Sequence, residues 1–290
     1  MKLQLDNSAF SILSCERKFQ LRVLEGKLEG KNTAASFGDA VHKGLQYLDE
    51  GFSPDEMFEK LTSLHGIDLP KVLSLITFYK TIERKLPPIL INNRPAIEFK
   101  FSHTYARQIL PGHSEPLEID LVGTVDIIGL DNGILVIRDY KTTEAATTYM
   151  LDQKLATYAM SFQLPFYFFA LLTFGILPAE YLSLLEQNKY RMEIHLLAYN
   201  TNPPTLKKLI KQPFNAEFVS REIPMIVNSK IQEALHIAQL QSHAPRTGMT
   251  VYKACDYCGF RPACLIAGSA KEEEILSRYP IAPYEPLSFR

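Results

Sequence analysis

The stretch that decides the fold runs from Gly123 to Thr142 and reads G-T-V-D-I-I-G-L-D-N-G-I-L-V-I-R-D-Y-K-T. It contains two runs rich in valine and isoleucine, which favour β-strands. Asn132 and Gly133 lie between these runs, and Asn-Gly is the preferred pair for a two-residue type I′ hairpin turn. We therefore predict an antiparallel hairpin in which Asp131 pairs with Ile134.

The turn fixes which residues face each other across the hairpin. In that register Asp126 lies opposite Asp139, with Cβ atoms about 5 Å apart, and Lys141 shares their face. Two facing carboxylates repel unless a positive charge lies between them. Mg²⁺ or Mn²⁺, which prefer oxygen ligands, would fit there. Aspartates near hairpin ends are also common by chance, and a one-residue change in the turn would spoil the register.

Composition indicates a soluble globular protein of 290 residues, with 46% hydrophobic and 22% charged residues. The net charge of −1 excludes a broadly basic nucleic-acid coat, so contact with a polyanion would need a local basic surface or metal ions. The N-terminal sequence lacks the apolar core of a signal peptide. The longest apolar stretch, 164–177, is shorter than the ~20 residues of a membrane span. We expect a cytoplasmic protein with no membrane partner.

Hydrophobic periodicity predicts helices in the N-terminal part of the chain, then strands, then an alternation of both. The predicted helices are 7–26, 36–50, 54–85, 152–158, 161–175 and 228–242, and the predicted strands are 97–101, 121–130, 134–140, 182–185 and 192–199. This order favours one α/β domain over residues 1–290. It would comprise a helical arm (1–95), a catalytic core (96–200) and a C-terminal segment (201–290).

All four cysteines belong to one pattern: Cys15 near the N-terminus, then Cys255, Cys258 and Cys264 in C-D-Y-C-G-F-R-P-A-C. Without a secretion signal, this set favours metal or redox chemistry over disulfides. Four thiolates with a C-x2-C-x5-C core suit either a tetrahedral zinc or an iron–sulfur cluster, and the spacing does not separate the two. Either ligand would tie the two ends of the chain together.

Together these motifs resemble the RecB-like branch of the PD-(D/E)XK nuclease superfamily. That branch has G-x-x-D, a strand ending in D-Y-K-T, an early helical histidine, a strand glutamate and a Q-x-x-x-Y helix. The matching residues here are His42, Glu98, Gly123, Asp126, Asp139, Tyr140, Lys141, Thr142, Gln163 and Tyr167. The resemblance spans residues 15 to 264. It implies a restriction-endonuclease-like fold, with a central mixed sheet flanked by helices, a helical N-terminal arm and termini joined at a four-cysteine cluster.

The resemblance also implies a metal centre. Asp126 and Asp139 would ligate Mg²⁺ or Mn²⁺, the backbone carbonyl of Tyr140 would add an oxygen, and His42 would complete the protein ligands. Lys141 would orient or help to deprotonate the attacking water and counter the developing negative charge. Taken without the resemblance, a lone helical histidine such as His42 is more often a packing or surface residue.

Three further residues complete the implied catalytic group. Glu98 would be a metal ligand or a polar edge of its strand. Gln163 and Tyr167 share one helix face because they are four residues apart. By resemblance they would position Lys141 or contact the DNA strand, whereas the residues alone fit a core aromatic beside a surface glutamine.

The cysteine pattern resembles the cluster-bearing members of the branch: CRISPR adaptation nucleases, AddB-type helicase–nuclease ends and related exonucleases. In those proteins four such thiolates hold a 4Fe–4S cluster, and structural zinc is the alternative here. We expect a structural role, stapling the termini, with Tyr252, Tyr257 and Phe260 shielding the cluster. One departure is Glu16, where those relatives often carry proline.

The sequence therefore predicts a metal-dependent deoxyribonuclease, an exonuclease that prefers single-stranded DNA ends. Its setting would be DNA repair, recombination or the processing of foreign DNA, with possible protein partners from a repair or CRISPR adaptation system. Two alternatives stay open at this stage. One is a catalytically inactive or partner-dependent DNA-binding subunit of a nuclease complex, and the other is an endonuclease.

Overall fold

The computed structural model describes residues 2–29, 33–64, 66–109, 114–211, 214, 218–240, 255, 258–267 and 269–282. The chain folds into two compact units. Unit 1 comprises Met1–Gly30, Ser102–Gly123 and Glu217–Arg290, and unit 2 comprises Lys31–Phe101 and Thr124–Ala216. The predicted boundaries at 95 and 200 stay a prediction.

The strands are β1 (Lys2–Leu5), β2 (Leu90–Ile91), β3 (Arg94–Pro95), β4 (Ile97–Gln108), β5 (Leu117–Asp131), β6 (Ile134–Thr143), β7 (Tyr190–Ala198) and β8 (Thr205–Lys211). The helices are α1 (Asn7–Ile12), α2 (Glu16–Phe19), α3 (Thr33–Glu50), α4 (Pro54–Thr62), α5 (Leu69–Ile82), α6 (Thr148–Ala159), α7 (Gln163–Thr173), α8 (Ala179–Glu186), α9 (Ile223–Gln239), α10 (Arg261–Leu265) and α11 (Ala270–Leu276). Short π-helical turns cover Gln20–Leu24 and Phe218–Glu222.

The main sheet has the strand order β1-β5-β6-β7-β8, and β4 also pairs with β5. It is mixed: β1 runs parallel to β5 and β6 parallel to β7, whereas β5–β6 and β7–β8 are antiparallel. Strands β2 and β3 form a separate two-stranded ribbon. This mixed sheet with its flanking helices confirms the predicted α/β fold class.

The core of unit 2 explains why β5 and β6 are its central strands. Leu135, Val136 and Ile137 of β6 are fully buried, as is Ile127 of β5. Such a continuous apolar run is typical of a strand covered on both faces. Helices α3 and α5 contribute most of the remaining side chains of this core.

Two glycines allow α3 to pack closely against its neighbours. A Cβ atom on Gly44 would lie 2.0 Å from Cδ1 of Ile76 on α5, and one on Gly38 would lie 3.0 Å from Oγ1 of Thr142 on β6. Neither space admits a larger side chain without movement. The sequence F-G-D-A-V-H-K-G-L therefore brings the helix that carries His42 close to the strand that carries Lys141.

Unit 1 has a smaller apolar core around its C-terminal helices. Leu21, Phe260, Ala263 and Leu276 form this cluster, and Cys258 and Cys264 pack against it. A buried ion pair between Arg17 and Glu272 (2.5 Å) joins α2 to α11. Both residues are almost fully buried, so each charge depends on the other for compensation.

Some predicted elements are wrong in detail. The single helix predicted over 7–26 is broken into α1, α2 and a π-helical turn, and Cys15 lies in extended backbone at the N-cap of α2 rather than mid-helix. The predicted helix 54–85 is two helices, because Asp68 caps a new one with Pro70 in its first turn. The strand predicted at 182–185 is helix α8, which begins directly after Pro178.

One stretch, Thr148–Thr173, is long and apolar enough to cross a membrane by length and composition. It contains α6 and α7, and 44% of its most apolar window is buried inside the protein. Core helices of soluble proteins pass the same test, so this stretch is weak evidence for a membrane span.

Candidate active site

The hairpin turn has the conformation that the sequence predicts. Asn132 and Gly133 both have positive φ, 50° and 77°, as a type I′ turn requires. Asp131 pairs with Ile134, and the ladder runs in that register along β5 and β6. The type I′ geometry thus sets which side chains of the two strands share a face.

Beyond the last paired residues, Ile127 and Arg138, come Asp126 and Asp139. Both carboxylates are buried, with exposed fractions of 9% and 2%. Oδ2 of Asp126 accepts a hydrogen bond from the backbone N–H of Tyr140 at 2.5 Å. The peptide group that joins Asp139 to Tyr140 therefore holds Asp126 in place.

Three side chains form a compact group of possible metal ligands. The ligand atoms of His42, Glu98 and Asp126 all lie within 4.8 Å of one another. Nδ1 of His42 lies 3.5 Å from Oδ2 of Asp126. One imidazole nitrogen beside two carboxylates is a donor set that suits a divalent cation, so the residues present fit Mg²⁺ or Mn²⁺.

Glu98 has an unusual backbone conformation. Its φ of 47° lies in the left-handed region, which non-glycine residues rarely adopt. Burial raises the pKa of its carboxyl group, and the nearby negative charge of Asp126 raises it further. Strained backbone and like charges brought together are features that cluster at functional sites, where a bound cation relieves the repulsion.

Asp139 lies between Lys141 and Gln163. Its Oδ2 is 2.7 Å from Nζ of Lys141, and its Oδ1 accepts a hydrogen bond of 2.6 Å from Nε2 of Gln163. The same Gln163 nitrogen is 2.9 Å from the hydroxyl oxygen of Tyr167 and donates to it. The Q-x-x-x-Y residues of α7 thus connect directly to the aspartate of the D-Y-K-T strand.

The protonation states follow from burial and neighbouring charges. Burial raises the pKa of Asp139, and Lys141 opposes this effect without cancelling it. Burial lowers the pKa of Lys141, but attraction to Asp139 and Asp126 outweighs it, so that pKa is raised. Burial likewise lowers the pKa of His42, but contact with Asp126 outweighs it and the net direction is upward. Lys141 is therefore a charged ammonium in this arrangement.

A buried polar cluster behind the catalytic strand was not found from the sequence. The hydroxyl of Tyr140 donates to Oδ2 of Asp49 at 2.9 Å, and burial raises the pKa of Asp49 to about 6. Next to it, Nε of Arg138 donates to Glu193 at 2.8 Å. The one available signal was Arg138 itself, a charged residue inside an otherwise apolar strand.

The four cysteines belong to unit 1 and form no disulfide. The backbone N–H of Cys258 donates to the carbonyl of Cys255 at 3.4 Å, and that of Cys264 to the carbonyl of Phe260 at 3.0 Å. Burial raises the pKa of Cys258, with a smaller contribution from Cys15. Among the described residues, the only group of three or more ligand atoms within 4.8 Å is the one at His42.

The expected aromatic shield is described only in part. Phe260 is fully buried and contacts the ring of Tyr279, with ring centroids 5.0 Å apart. Tyr252 and Tyr257 lie outside the described residues. The hydroxyl of Tyr279 also donates to the carbonyl of Gly259 at 2.6 Å, so this tyrosine fastens the turn between Cys258 and Cys264.

Comparison with known proteins gives a match to a family model and matches to solved structures. A family model described as the PD-(D/E)XK nuclease superfamily matches residues 8–265. Among solved structures, one titled "Crystal structure of SSO0001" matches with a TM-score of 0.36 and 11% identity, covering 91% of this chain and 85% of that chain. No curated protein matches.

Proposed function

This chain belongs to the PD-(D/E)XK nuclease superfamily, and from that premise we propose that it is a divalent-metal-dependent DNA exonuclease that acts on single-stranded ends. One observation carries the proposal. Asp126, Asp139 and Lys141 meet at the end of the β5–β6 hairpin, beside His42 and Glu98. Acidic ligands next to a charged lysine are the arrangement that phosphodiester hydrolysis needs.

The proposed ligands of Mg²⁺ or Mn²⁺ are His42, Asp126, Asp139 and the backbone carbonyl of Tyr140, with Glu98 as a further carboxylate. When bound, such a cation stabilises the negative charge that collects on the scissile phosphate and lowers the pKa of coordinated water. The protein prepares the site by directing the N–H of Tyr140 at Asp126, which fixes the orientation of that carboxylate.

Lys141 acts in this proposal as a charged donor. It would orient the attacking water and counter charge on the phosphate. Attraction to Asp139 and Asp126 raises the pKa of Lys141 before a cation is bound. Gln163 holds the other oxygen of Asp139, and Tyr167 accepts from Gln163. These two residues are therefore positioning residues for the aspartate.

We further propose that Cys15, Cys255, Cys258 and Cys264 hold a 4Fe–4S cluster with a structural role. Four cysteines outside any disulfide and a neighbouring buried phenylalanine suit a soft metal centre. Structural zinc is the alternative. Anaerobically purified protein should be brown, with broad visible absorbance and iron by elemental analysis. A colourless preparation with stoichiometric zinc contradicts the cluster and identifies the alternative.

The activity is tested with end-labelled single- and double-stranded DNA in Mn²⁺ or Mg²⁺, and with EDTA in place of the metal. We expect metal-dependent degradation of the single strand, and Asp139→Asn should abolish it. Asp55→Asn, an exposed acid on α4, is the matched control and should cleave like the parent. If Asp139→Asn cleaves as fast as the parent, the assignment of the active site is wrong.

Oligonucleotides blocked at the 5′ or the 3′ end separate exonuclease from endonuclease. Protection by one block supports exonuclease action and gives its polarity, whereas cleavage of a doubly blocked strand favours the endonuclease. Metal-independent DNA binding without cleavage would favour a partner-dependent or inactive subunit. A cytoplasmic setting in DNA repair, recombination or foreign-DNA processing stays a prediction from the resemblance.

A further inference from the structure

Unit 2 contains two cavities outside the candidate active site, and the larger one borders the tip of the β5–β6 hairpin. These cavities, of about 330 Å³ and about 650 Å³, share Glu83, Arg84, Lys85 and Arg138 in their linings. They are therefore parts of one continuous depression, which we call the basic groove. The larger cavity is lined by Ile82, Glu83, Arg84, Lys85, Leu86, Pro87, Leu130, Asp131, Asn132, Arg138, Arg191 and Lys208.

The basic groove carries an excess of positive charge. The lining of its larger cavity contains five cationic and two acidic side chains. Arg138 and Arg191 share Glu193, and Lys208 pairs with Glu83. Arg84 and Lys85 are exposed, and no hydrogen bond or ion pair is assigned to them within the described part of the chain. Lys85 acts on Asp49 only through longer-range attraction.

The floor of the basic groove is formed by arginines that hold fixed contacts with neighbouring side chains. Arg138 is 3% exposed. Its Nη1 donates to the hydroxyl of Tyr79 at 3.2 Å, and its Nε donates to Glu193. Arg191 is held by Asp131 at 2.7 Å. Arg138 also pairs with Glu83, so the cations left for a phosphate to pair with are the exposed Arg84 and Lys85.

The groove faces away from the cleavage centre. Successive side chains of a strand point to opposite faces, so Arg138 lies on the face of β6 opposite Asp139 and Lys141. A ligand in the groove therefore does not occupy the metal site. The two sites are connected by β6 itself, because one strand supplies both the floor of the groove and the catalytic residues.

The lining residues indicate which chemical groups a ligand of the groove would carry. Phe52 and Tyr79 line the smaller cavity, whereas the residues given for the larger cavity include no aromatic side chain on which a base could stack. Its polar groups are mainly guanidinium and ammonium ions, which recognise phosphate. The whole chain has a net charge of −1, so this local excess is not a general property of the surface.

From these observations, and resting on the proposed function, we propose that the basic groove binds the sugar–phosphate backbone of single-stranded DNA away from the cleavage centre. It would anchor the strand through the cations of the larger cavity, independently of base sequence. The prediction is that long substrates bind better than short ones, because only a long strand reaches both the groove and the metal site.

The test is the double substitution Arg84→Ala/Lys85→Ala, with binding of a labelled oligonucleotide measured by fluorescence anisotropy in EDTA. We expect several-fold weaker binding at low salt. The slope of log K against log salt should fall by about 1.4, since each single-strand phosphate contact contributes about 0.7. The matched control, Arg94→Ala/Lys271→Ala, removes two exposed cations that line neither cavity and should bind like the parent.

Two results would overturn the proposal. One is unchanged oligonucleotide affinity and unchanged salt slope in the groove variant. The other is a thermal stabilisation by a mononucleotide that the groove variant loses while oligonucleotide binding stays intact, which would assign the groove to a small phosphorylated ligand. Because binding is measured without metal, failure of the proposed nuclease activity is distinguishable: the parent would then bind DNA through the groove without cutting it in Mn²⁺.

Discussion

The candidate active site of unit 2 and the cysteine segment of unit 1 are built in different ways. Asp126 and Asp139 lie on adjacent strands, directly beyond the paired residues of the β5–β6 ladder, and their oxygens are already held by Tyr140, Lys141 and Gln163. The cysteines come from distant parts of the sequence and lie on a turn, at a helix N-cap and in the five-residue α10.

The difference predicts which of the two proposed metals would be needed for folding. A site held by strand register and protein hydrogen bonds keeps its geometry without a cation. The short helices around the cysteines share a core cluster of four buried side chains, so a soft metal joining them, as proposed above, would contribute directly to folding. Loss of the metal should therefore cost activity in unit 2 and stability in unit 1.

Removing an acidic ligand gives the largest expected effect. Asp126→Ala should lower the rate of DNA cleavage in Mn²⁺ by at least about 10³-fold, because charge stabilisation at the phosphate depends on the metal that this carboxylate would hold. The midpoint of thermal unfolding should stay within a few degrees of the parent. The rate is measured on labelled single strands, and the midpoint by circular dichroism.

The same variant should keep the visible absorbance or zinc content of the parent, since its cysteines are untouched. A large drop in unfolding temperature together with loss of the bound soft metal would contradict the separation of the two centres.

Lys141→Met should have the next largest effect on cleavage. We expect a loss of about 10²-fold in kcat, typical for removal of a charged group that acts on the reacting atoms. The concentration of Mn²⁺ for half-maximal rate should change less, because Lys141 is not a proposed metal ligand. Lys141→Arg keeps the charge and should recover part of the rate. If Lys141→Met and Lys141→Arg lose the same fraction of the cleavage rate, and the loss comes from weaker Mn²⁺ binding, this role is contradicted.

The hairpin shows how much of the candidate site could be predicted from the sequence. Asn132 and Gly133 determine a turn with only one favourable register, so the positions of Asp126, Asp139 and Lys141 follow from local chemistry. The positive φ of Glu98 could not be predicted, because it depends on the strand's surroundings in the folded protein. Glutamate itself gives no indication of that conformation.

Long-range polar contacts were the other missing part. Asp49 lies at the end of a helix that reads as ordinary amphipathic sequence, and its partner Tyr140 is 91 positions away. Arg84 and Lys85 read as a surface pair, and only the folded chain shows them beside Arg138. Burial brings such residues together, and burial at long range is not encoded in any local pattern.

Cys258→Ser tests the proposed structural role of the cysteine segment of unit 1. This substitution should remove the soft metal and lower the unfolding temperature by about 5–10 °C, since a few kcal/mol of metal-linked folding energy corresponds to that shift in a chain of this size. Cleavage per folded molecule should fall much less than in Asp126→Ala. Calorimetry and iron or zinc analysis measure the two quantities. Unchanged stability with the metal lost would contradict a structural role.

The smallest effect concerns Asp49 behind the catalytic strand. Folding raises its pKa to about 6, so between about pH 4 and 6 the folded state binds more protons than the unfolded state. Stability should therefore rise as pH falls from 8 towards 5.5. Asp49→Asn keeps an oxygen for the hydroxyl of Tyr140 and removes the titration, so its unfolding temperature should vary a few degrees less over this range.

Comparing the parent with Asp49→Asn over that pH range isolates the contribution of Asp49 to the pH dependence of stability. His42, with a raised pKa, adds stability as pH falls, His195, with a lowered pKa, subtracts it, and both remain in parent and variant. Glu193, whose pKa is lowered mainly by His195 and Arg138 against the effect of burial, loses its contribution only at more acidic pH. Identical pH profiles for the metal-free parent and Asp49→Asn would show that this carboxyl is not titrating near pH 6.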